Sequence, residues 1–170
     1  MYSDNIIFFD GEFTSLDPNE GRLLSLALVK PNGESLYLEL DPGDAPFDPW
    51  VLENVTPYFT GDTVSDEEAV KQIKAFVGSG LPYLMAKVNQ FDWIFLAKLL
   101  GLMKRGEETV FLWLPIDFAS ILYARGIDPA TPSEQLAEKL GVELPEGYQN
   151  HHALSDAQLL RLLYQKLAEE

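Results

Sequence analysis

Hydrophobic and polar residues in the first quarter of the chain follow the short spacing that is typical of β-strands. The apolar run within Asn5–Asp10 predicts a buried strand, and the mostly apolar stretch Arg22–Lys30 predicts a second one. A turn at Pro31–Gly33 then leads to Glu34–Leu40, where alternating residues predict a third strand with one face in solvent. Because the connections are short, we expect these three strands to pair antiparallel.

The rest of the chain has apolar residues mainly at helical spacing, with two short apolar runs between the predicted helices. Helices are predicted at Asp48–Asn54, Ser65–Val77, Phe91–Leu102, Asp117–Ala124, Ser133–Leu140 and His152–Ala168. The two short runs, Leu81–Met85 and Thr109–Trp113, are predicted strands. This order predicts an α/β fold in which helices flank a mixed central β-sheet. The 170 residues contain no internal repeat or long linker, so we expect a single domain over residues 1–170.

The composition limits the environment and the partners of the protein. The sequence has no cysteine, which excludes disulfides and thiolate metal sites, and no apolar run near the ~20 residues that span a membrane. It starts without the basic and apolar segments of a signal peptide, so we expect a cytoplasmic protein. The net charge of -15 disfavours the basic face that is usual in nucleic-acid binding, unless bound divalent cations offset part of it.

Acidic residues recur where predicted strands end or predicted helices begin. Asp10 and Glu12 follow the first apolar run, and residues two apart in a strand point to the same face. Asp92 opens a predicted helix, and Asp156 lies early in the last helix, five residues after His151. Grouped oxygen ligands at such a place suit Mg²⁺ or Mn²⁺. Each piece also has an ordinary interpretation: a chance pair of acids, an N-cap at Asp92, or a histidine that caps a helix.

Three short motifs that contain these acids resemble the motifs of a known family. The first is DGEFTSL, which begins at Asp10, and the third is HHALSDA, which begins at His151. The second, KVNQFDWIFL, carries Asp92 but has Val88 where family members usually have asparagine. In order and spacing, the motifs resemble those of the DEDD-type 3′-to-5′ exonucleases of the RNase H-like superfamily, in the branch with a histidine base (DEDDh).

The resemblance implies a two-metal hydrolysis of phosphodiester bonds. The ligands of the two divalent ions, Mg²⁺ or Mn²⁺, would be Asp10, Glu12, Asp92 and Asp156. His151 would accept the proton of the attacking water, since the spacing to Asp156 selects it over His152. A histidine suits this role because its unperturbed pKa of ~6.5 is near neutrality.

The resemblance also implies contacts with the terminal nucleotide. These would come from Phe13, Thr14, Leu16 and Phe91, with the backbone at 13–14 near the 3′-hydroxyl and Leu16 against the last base. Phe13, Leu16 and Phe91 have an alternative interpretation as ordinary core residues. Tyr148 precedes the histidines and is a further candidate for a phosphate contact, which the sequence leaves open.

The expected substrate is single-stranded nucleic acid or a 3′ overhang, shortened from the 3′ end to release nucleoside 5′-monophosphates. Scattered lysines and arginines favour single strands over long duplexes. A weaker likeness of Trp50–Phe59 to a compact exoribonuclease subfamily favours RNA over DNA, and dimers are common in such proteins, so a homodimer is an expectation. Two alternatives remain open: a non-catalytic nucleic-acid-binding module on the same fold, and an acidic interaction protein without metals.

Overall fold

The strands of the protein form a six-stranded sheet in the computed structural model, which describes residues 3–102 and 109–169. They are β1 (Ile6–Phe13), β2 (Leu23–Val29), β3 (Ser35–Leu40), β4 (Thr63–Val64), β5 (Tyr83–Ala86) and β6 (Ile116–Asp117). Their order across the sheet is β4-β3-β2-β1-β5-β6. β1, β2 and β3 pair antiparallel, as predicted, whereas β4, β5 and β6 pair parallel to β3, β1 and β5 respectively. The long first strand therefore lies in the middle of a mixed sheet.

Helices cover both faces of this sheet. They are α1 (Pro49–Asn54), α2 (Asp66–Val77), α3 (Asn89–Leu99), α4 (Phe118–Ala124), α5 (Ser133–Leu140) and α6 (Ala153–Ala168), with a 3₁₀ helix at Thr56–Tyr58. Asp48 caps α1 by accepting a hydrogen bond from the Trp50 N–H, and Ser65 caps α2 by accepting one from the Glu68 N–H. The predicted α/β fold, with helices that flank a mixed central sheet, is confirmed. Within the described ranges, no helix has both the length and the apolar composition needed to cross a membrane.

Alternation along β1 divides the hydrophobic core between the two faces of the sheet. Ile7 and Phe9 pack with residues of α2 and α3 in one buried cluster. Ile6 and Phe8 pack with residues of α4, α5 and α6 in the other. Since Asp10 continues the side of Ile6 and Phe8, its carboxylate faces the layer that contains α6.

The predicted end of the first strand is wrong. β1 continues beyond Asp10 to Phe13, because its last residues still pair with β2: Glu12 lies opposite Ser25 and Phe13 lies opposite Leu23. The register shifts between Glu12 and Phe13, which marks a local irregularity in the ladder. Both acids of the first motif therefore lie within a strand held on its β2 side, rather than in the loop that follows it.

The prediction of a strand at Thr109–Trp113 is also wrong. Phe111 is fully buried in the core cluster that contains α2 and α3, so the run is apolar because it packs, not because it joins a ladder. A hydrogen bond from the Leu112 N–H to the Pro82 carbonyl connects the run to the start of β5. The edge strand next to β5 is instead the two-residue β6, and β4 at the opposite edge is equally short. Two residues are too few to show an alternating pattern, which is why the sequence analysis missed both strands.

Candidate active site

Three carboxylates from the two ends of the chain meet on one face of the sheet. Asp10, Glu12 and Asp156 each offer one carboxylate oxygen, and these atoms lie within 4.8 Å of one another. Asp10 and Glu12 share a face because they are two residues apart in β1. Asp156 reaches them because it lies in the first turn of α6, which packs across β1 and β2. The predicted convergence of these three acids is present in the structure.

The fourth predicted acid, Asp92, lies beside this group in the first turn of α3. It is only 6% exposed, and its Oδ1 accepts a hydrogen bond of 3.1 Å from the backbone N–H of Gly11. Gly11 stands between Asp10 and Glu12 in the chain, so Asp92 contacts the backbone that joins the other two acids. All four carboxylates line a single cavity of about 340 Å³.

The negative charges of these acids repel one another strongly when all are ionised. Burial raises the pKa of Glu12 to about 8, and the charges of Asp156 and Asp92 add to the effect. Burial likewise raises the pKa of Asp10 well above its ordinary value, with contributions from Asp92, Asp156 and Glu12. Burial raises the pKa of Asp92 to about 8, although the Gly11 N–H partly opposes the shift. Four such groups do not all ionise near neutral pH unless a cation offsets their charge.

This donor set fits hard divalent cations. It consists of carboxylate oxygens, which are the ligands that Mg²⁺ and Mn²⁺ prefer, and three of the four groups already lie at the separations that a shared ion requires. A bound cation reverses the effect of crowding, because it stabilises the ionised form of each carboxylate. A metal site explains both the close grouping of these carboxylates and the repulsion between them.

The carboxylate of Asp156 is fixed by two hydrogen bonds. The Tyr148 hydroxyl donates to Oδ1 at 2.7 Å, and the backbone N–H of His151 donates to Oδ2 at 2.9 Å. Burial raises the pKa of Asp156, and these two donors counteract part of that rise. The structure thus gives Tyr148, a candidate for a phosphate contact in the sequence analysis, a different partner: the Asp156 carboxylate.

The two adjacent histidines have different environments. His151 lines the cavity, and its ring meets the edge of Trp50 with ring centroids 4.9 Å apart. Its backbone has a φ of 61°, a left-handed conformation that is uncommon outside glycine. His152 instead stacks on Tyr37 of β3 at 4.8 Å, and among the described residues its buried Nδ1 has no hydrogen-bond partner. Of the two histidines, His151 is therefore the one that lines the cavity with the carboxylates, and its role as the base stays a prediction.

Three of the predicted substrate residues line the cavity. Leu16 is 56% exposed, and it lies at the border between this cavity and a second, apolar pocket. Phe91 is half-buried next to Asp92. Phe13 also lines both spaces, but its ring stacks on Phe95 at 4.4 Å, so it belongs partly to the core. Phe13 is therefore in part a core residue, and its contact with a nucleotide stays a prediction.

Thr14 does not line the cavity. Its side chain is fully buried, its hydroxyl accepts a hydrogen bond of 3.0 Å from the Arg22 N–H, and its own N–H donates to the Arg22 carbonyl at 2.9 Å. Its carbonyl accepts the Asp48 N–H at 2.8 Å, which ties the end of β1 to the start of α1. The predicted contact of Thr14 with the 3′-hydroxyl is not supported by this placement, because Thr14 is fully buried and exposes no polar group to the cavity. Thr14 instead holds the segment that carries Leu16 and Trp50.

Two residues of the site were not singled out from the sequence. Trp50 lines the apolar pocket of about 250 Å³ that shares Glu12, Phe13 and Leu16 with the carboxylate cavity, and half of its surface is exposed. Lys87 lines the carboxylate cavity at the end of β5. Lys87 stands within the second motif, so its sequence position was a usable signal, whereas the exposure of Trp50 depends on how α1 packs.

Comparisons with known proteins relate this fold to that of exonuclease I. No protein-family model and no curated protein matches the sequence. Three solved structures that match are exonuclease I in a study of its processivity, a product-bound exonuclease I, and a zinc-bound complex of E. coli exonuclease I with single-stranded DNA. Their TM-scores are 0.69, 0.70 and 0.71, with 15%, 13% and 17% sequence identity.

These matches cover 96%, 97% and 96% of this chain but only 40%, 43% and 40% of the exonuclease I chains. This chain thus spans about two fifths of the length of those proteins. At this level of identity the likeness shows that the fold is shared. The mixed sheet and its flanking helices are those of the exonuclease fold.

Proposed function

We propose that the protein is a metal-dependent 3′-to-5′ exonuclease that shortens single-stranded nucleic acid and releases nucleoside 5′-monophosphates. The observation that carries the proposal is the meeting of Asp10, Glu12 and Asp156, whose carboxylate oxygens lie within 4.8 Å in a cavity that also contains Asp92 and His151. The fold shared with exonuclease I supports the same activity. A module that only binds nucleic acid has no need for grouped, buried carboxylates, which repel phosphate.

Asp10, Glu12, Asp92 and Asp156 would hold the divalent ions, which we propose to be two in number and either Mg²⁺ or Mn²⁺. When bound, such ions lower the pKa of a coordinated water and stabilise the oxygen that leaves phosphorus. The protein positions the ligands: the β1–β2 ladder fixes Asp10 and Glu12, and the Tyr148 hydroxyl and the His151 N–H fix Asp156. The Gly11 N–H holds Asp92 against the same strand.

His151 would act as the general base that accepts a proton from the attacking water. Its imidazole is on the cavity wall, its backbone N–H is bound to the Asp156 carboxylate, and Trp50 packs against its ring. Histidine is the side chain that enzymes most often use as a general base. His152 does not compete for this role, because its ring packs on Tyr37.

The apolar pocket next to Glu12 would receive the terminal nucleoside. It is bounded by Phe13, Leu16 and Trp50, which offer flat or branched apolar surface to a base. Stacking of one base on an aromatic side chain contributes ~1–3 kcal/mol. The net charge of -15 disfavours long duplexes, so we propose single strands or 3′ overhangs as substrates.

RNA and DNA are both candidate substrates, each on a separate observation. The sequence likeness of Trp50–Phe59 to compact exoribonucleases favours RNA. The similar fold of exonuclease I, solved as a complex with single-stranded DNA, favours DNA. A protein that distinguishes them must contact the 2′-hydroxyl. We retain RNA as the first candidate, and a paired assay decides between them.

The experiment follows 5′-labelled RNA and DNA single strands of one sequence in Mg²⁺ and in Mn²⁺. We expect stepwise shortening from the 3′ end, loss of activity by at least about 10³-fold in Asp10→Asn and in His151→Ala, and wild-type activity in the control Glu53→Gln. Glu53 is an exposed acid on α1, outside the cavity. Binding without shortening would instead favour the non-catalytic module. Shortening that survives Asp10→Asn would exclude the proposed site.

We further propose that residues 1–170 form a single exonuclease domain. What supports this is that β1 and α6, from opposite ends of the chain, build one core cluster and one site. The expected homodimer and cytoplasmic location stay predictions from the sequence. Size-exclusion chromatography with light scattering tests the dimer directly.

A further inference from the structure

Lys87 has a special position among the residues that line the carboxylate cavity. Of the described lining residues, it is the sole lysine or arginine, in a cavity with four carboxylates. Phe8 of β1 pairs with Met85 of β5 in the parallel ladder, and Asp10 and Lys87 each follow two residues later. Lys87 directly follows the carboxyl end of β5, the neighbour of β1, and it lines the same cavity as Asp10.

The ammonium group of Lys87 is held by neutral partners. Its Nζ donates to the Thr131 carbonyl at 2.6 Å and to the Ser133 hydroxyl at 3.3 Å. The ion pairs found within the described ranges join other residues, so none neutralises Lys87 directly. A lysine ammonium has three N–H donors, and these two contacts use two of them. Lys87 therefore retains an N–H donor at a half-buried place, and its positive charge is attracted by Glu134 and Asp156 without forming an ion pair with either.

The position of Lys87 relative to the apolar pocket indicates the direction in which a bound substrate runs through the cavity. Glu12, Phe13 and Leu16 border both the pocket and the carboxylate cavity, whereas Lys87 and Ser133 border the carboxylate cavity alone. Consider a single-stranded nucleic acid with its last base in the apolar pocket and its scissile phosphate at the carboxylates. The rest of this substrate continues away from the apolar pocket. The next phosphate along the strand then comes to the Lys87 side.

We propose that Lys87 binds the phosphate that precedes the scissile phosphate, through the free N–H donor of its ammonium group. This inference rests on the proposed function, because it takes the carboxylates as the place of cleavage. The Thr131 carbonyl and the Ser133 hydroxyl orient the side chain before substrate arrives. A charged, oriented donor forms a stronger hydrogen bond with a phosphate oxygen than a neutral group does. In a protein of net charge -15, this one cation offsets the repulsion that the substrate backbone meets at the cavity.

The experiment removes the charge from either partner. The substrate is a trinucleotide with the sugar that the protein accepts, and its first linkage is either a phosphate or an uncharged methylphosphonate. For wild type we expect the methylphosphonate to lower kcat/KM by about tenfold, the value of a charged hydrogen bond of ~1.4 kcal/mol. Lys87→Met should cleave the unmodified substrate about tenfold more slowly than wild type, with no further loss on the methylphosphonate. Lys87→Arg keeps the charge, so the methylphosphonate should again lower its kcat/KM, as in wild type.

A purely structural role of Lys87 predicts a different result. Loss of the Thr131 contact would slow the cleavage of both substrates equally. The methylphosphonate would then lower kcat/KM by the same factor in Lys87→Met as in wild type. That outcome, or an unchanged kcat/KM in Lys87→Met, overturns the inference. Ser133→Ala removes one neutral partner and keeps the charge, so it should retain the sensitivity. Lys71→Met removes an exposed charge on α2 that pairs with Glu68, and it should behave as wild type.

Binding provides a readout that does not depend on cleavage. Fluorescence anisotropy of the same oligonucleotides in Ca²⁺, an ion that also takes oxygen ligands, gives dissociation constants over a range of salt concentrations. We expect the slope of log K against log salt to be smaller by about 0.7 in Lys87→Met than in wild type, as for one lost phosphate contact on a single strand. Equal slopes overturn the inference. If wild type cleaves nothing but its slope still exceeds that of Lys87→Met, the proposed function fails, while a contact of Lys87 with a phosphate of the bound strand remains.

Discussion

The Tyr148 hydroxyl donates a hydrogen bond of 2.7 Å to Oδ1 of Asp156, the acid that α6 brings to the carboxylates of β1. Tyr148 lies before α6, in a segment that ends at the left-handed residue His151. Tyr148 and His151 therefore each donate to a different oxygen of the same carboxylate. This contact makes Tyr148 a positioning residue for a proposed metal ligand.

Tyr148→Phe should weaken metal binding without changing the fold. The substitution removes one of two donors that hold Asp156 in place. Loss of a hydrogen bond to a metal ligand, from a residue that does not itself bind the metal, typically lowers metal affinity or activity by about 10–100-fold. Calorimetric titration with Mn²⁺ measures the change in Kd. Tyr123→Phe is the matched control, because Tyr123 is 77% exposed at the end of α4. Equal affinities of wild type and Tyr148→Phe would contradict the positioning role.

The stability of the metal-free protein should fall as pH rises. Burial and the neighbouring acids raise the pKa of folded Glu12 to about 8, above the ~4.3 of an unfolded glutamate. Between about pH 4 and pH 8 the folded state therefore holds a proton that the unfolded state has lost, and the free energy of unfolding decreases. Thermal melts in EDTA should show this decrease, and added Mg²⁺ should reverse it at the alkaline end.

Glu12→Gln tests the origin of this pH dependence. The neutral amide removes one repelling charge, so near pH 8 in EDTA we expect the melting temperature to rise by about 3–6 °C, or roughly 1–2 kcal/mol. The same variant should lose the stabilisation by Mg²⁺. Glu53→Gln should follow wild type in both buffers, because Glu53 is exposed on α1. A variant as pH-sensitive as wild type would show that the pH dependence arises elsewhere.

The sequence predicted the parts of the site that depend on local geometry. Asp10 and Glu12 share a face because the strand period is two, which holds wherever the strand ends. The approach of Asp156 to this pair came from the likeness of the motifs, since nothing local in a chain tells which strand a distant helix will cover. The exposure of Trp50 and the burial of Thr14 depend on how α1 packs against the end of β1. Tertiary packing of this kind has no period in the sequence.

The backbone conformation of Val88 is another feature that the sequence pattern did not predict. It has a φ of 63° and a ψ of 52°, the left-handed region that β-branched residues rarely adopt, directly before α3. Val88 stands where the motif that the chain resembles usually has asparagine, and asparagine is one of the few residues that tolerate this region. The conformation itself came only with the structure, where the Val88 N–H donates to the Asp117 carboxylate at 3.0 Å.

Replacement of Val88 by asparagine or glycine should stabilise the protein. Either residue relieves a backbone strain that costs of order 1 kcal/mol, so urea unfolding should show a gain of about 0.5–1.5 kcal/mol. Val88→Ala gives the comparison, because alanine removes the β-branch but keeps a Cβ. We expect asparagine and glycine to exceed alanine, and alanine to exceed valine. Destabilisation by both asparagine and glycine would mean that packing of the valine side chain outweighs the strain.

Glu39→Gln should destabilise the protein although it removes a buried charge. Glu39 is 3% exposed, and its carboxylate accepts hydrogen bonds from Tyr37, Thr60 and Gly61 at 2.9–3.1 Å. Burial alone would raise the pKa of Glu39, but these donors hold it below its ordinary value. A glutamine offers one acceptor oxygen in place of two, which leaves buried donors unpaired and costs about 1–3 kcal/mol.

The pH dependence of this loss has the opposite sign to that of Glu12. A lowered pKa in the folded state gives stability that is present above the unfolded value and is lost as pH falls through the folded value. The difference between wild type and Glu39→Gln in urea unfolding should therefore shrink in acid. Glu34→Gln is the control, since the exposed Glu34 pairs with Lys30 on the surface. An equal loss at neutral and acid pH would exclude the charge as the cause.

Trp50 should contribute to both substrate binding and the position of the proposed base. Its ring borders the apolar pocket and meets the ring of His151 edge-on at 4.9 Å. Trp50→Ala should raise KM by about tenfold, as for one lost base-stacking contact of ~1–3 kcal/mol, and should also lower kcat because His151 loses its packing partner. Trp50→Phe keeps an aromatic face and should recover most of both parameters. Trp113→Ala removes a tryptophan that is 75% exposed and outside both spaces, so it should match wild type. Unchanged KM and kcat in Trp50→Ala would remove the apolar pocket from the proposed path of the substrate.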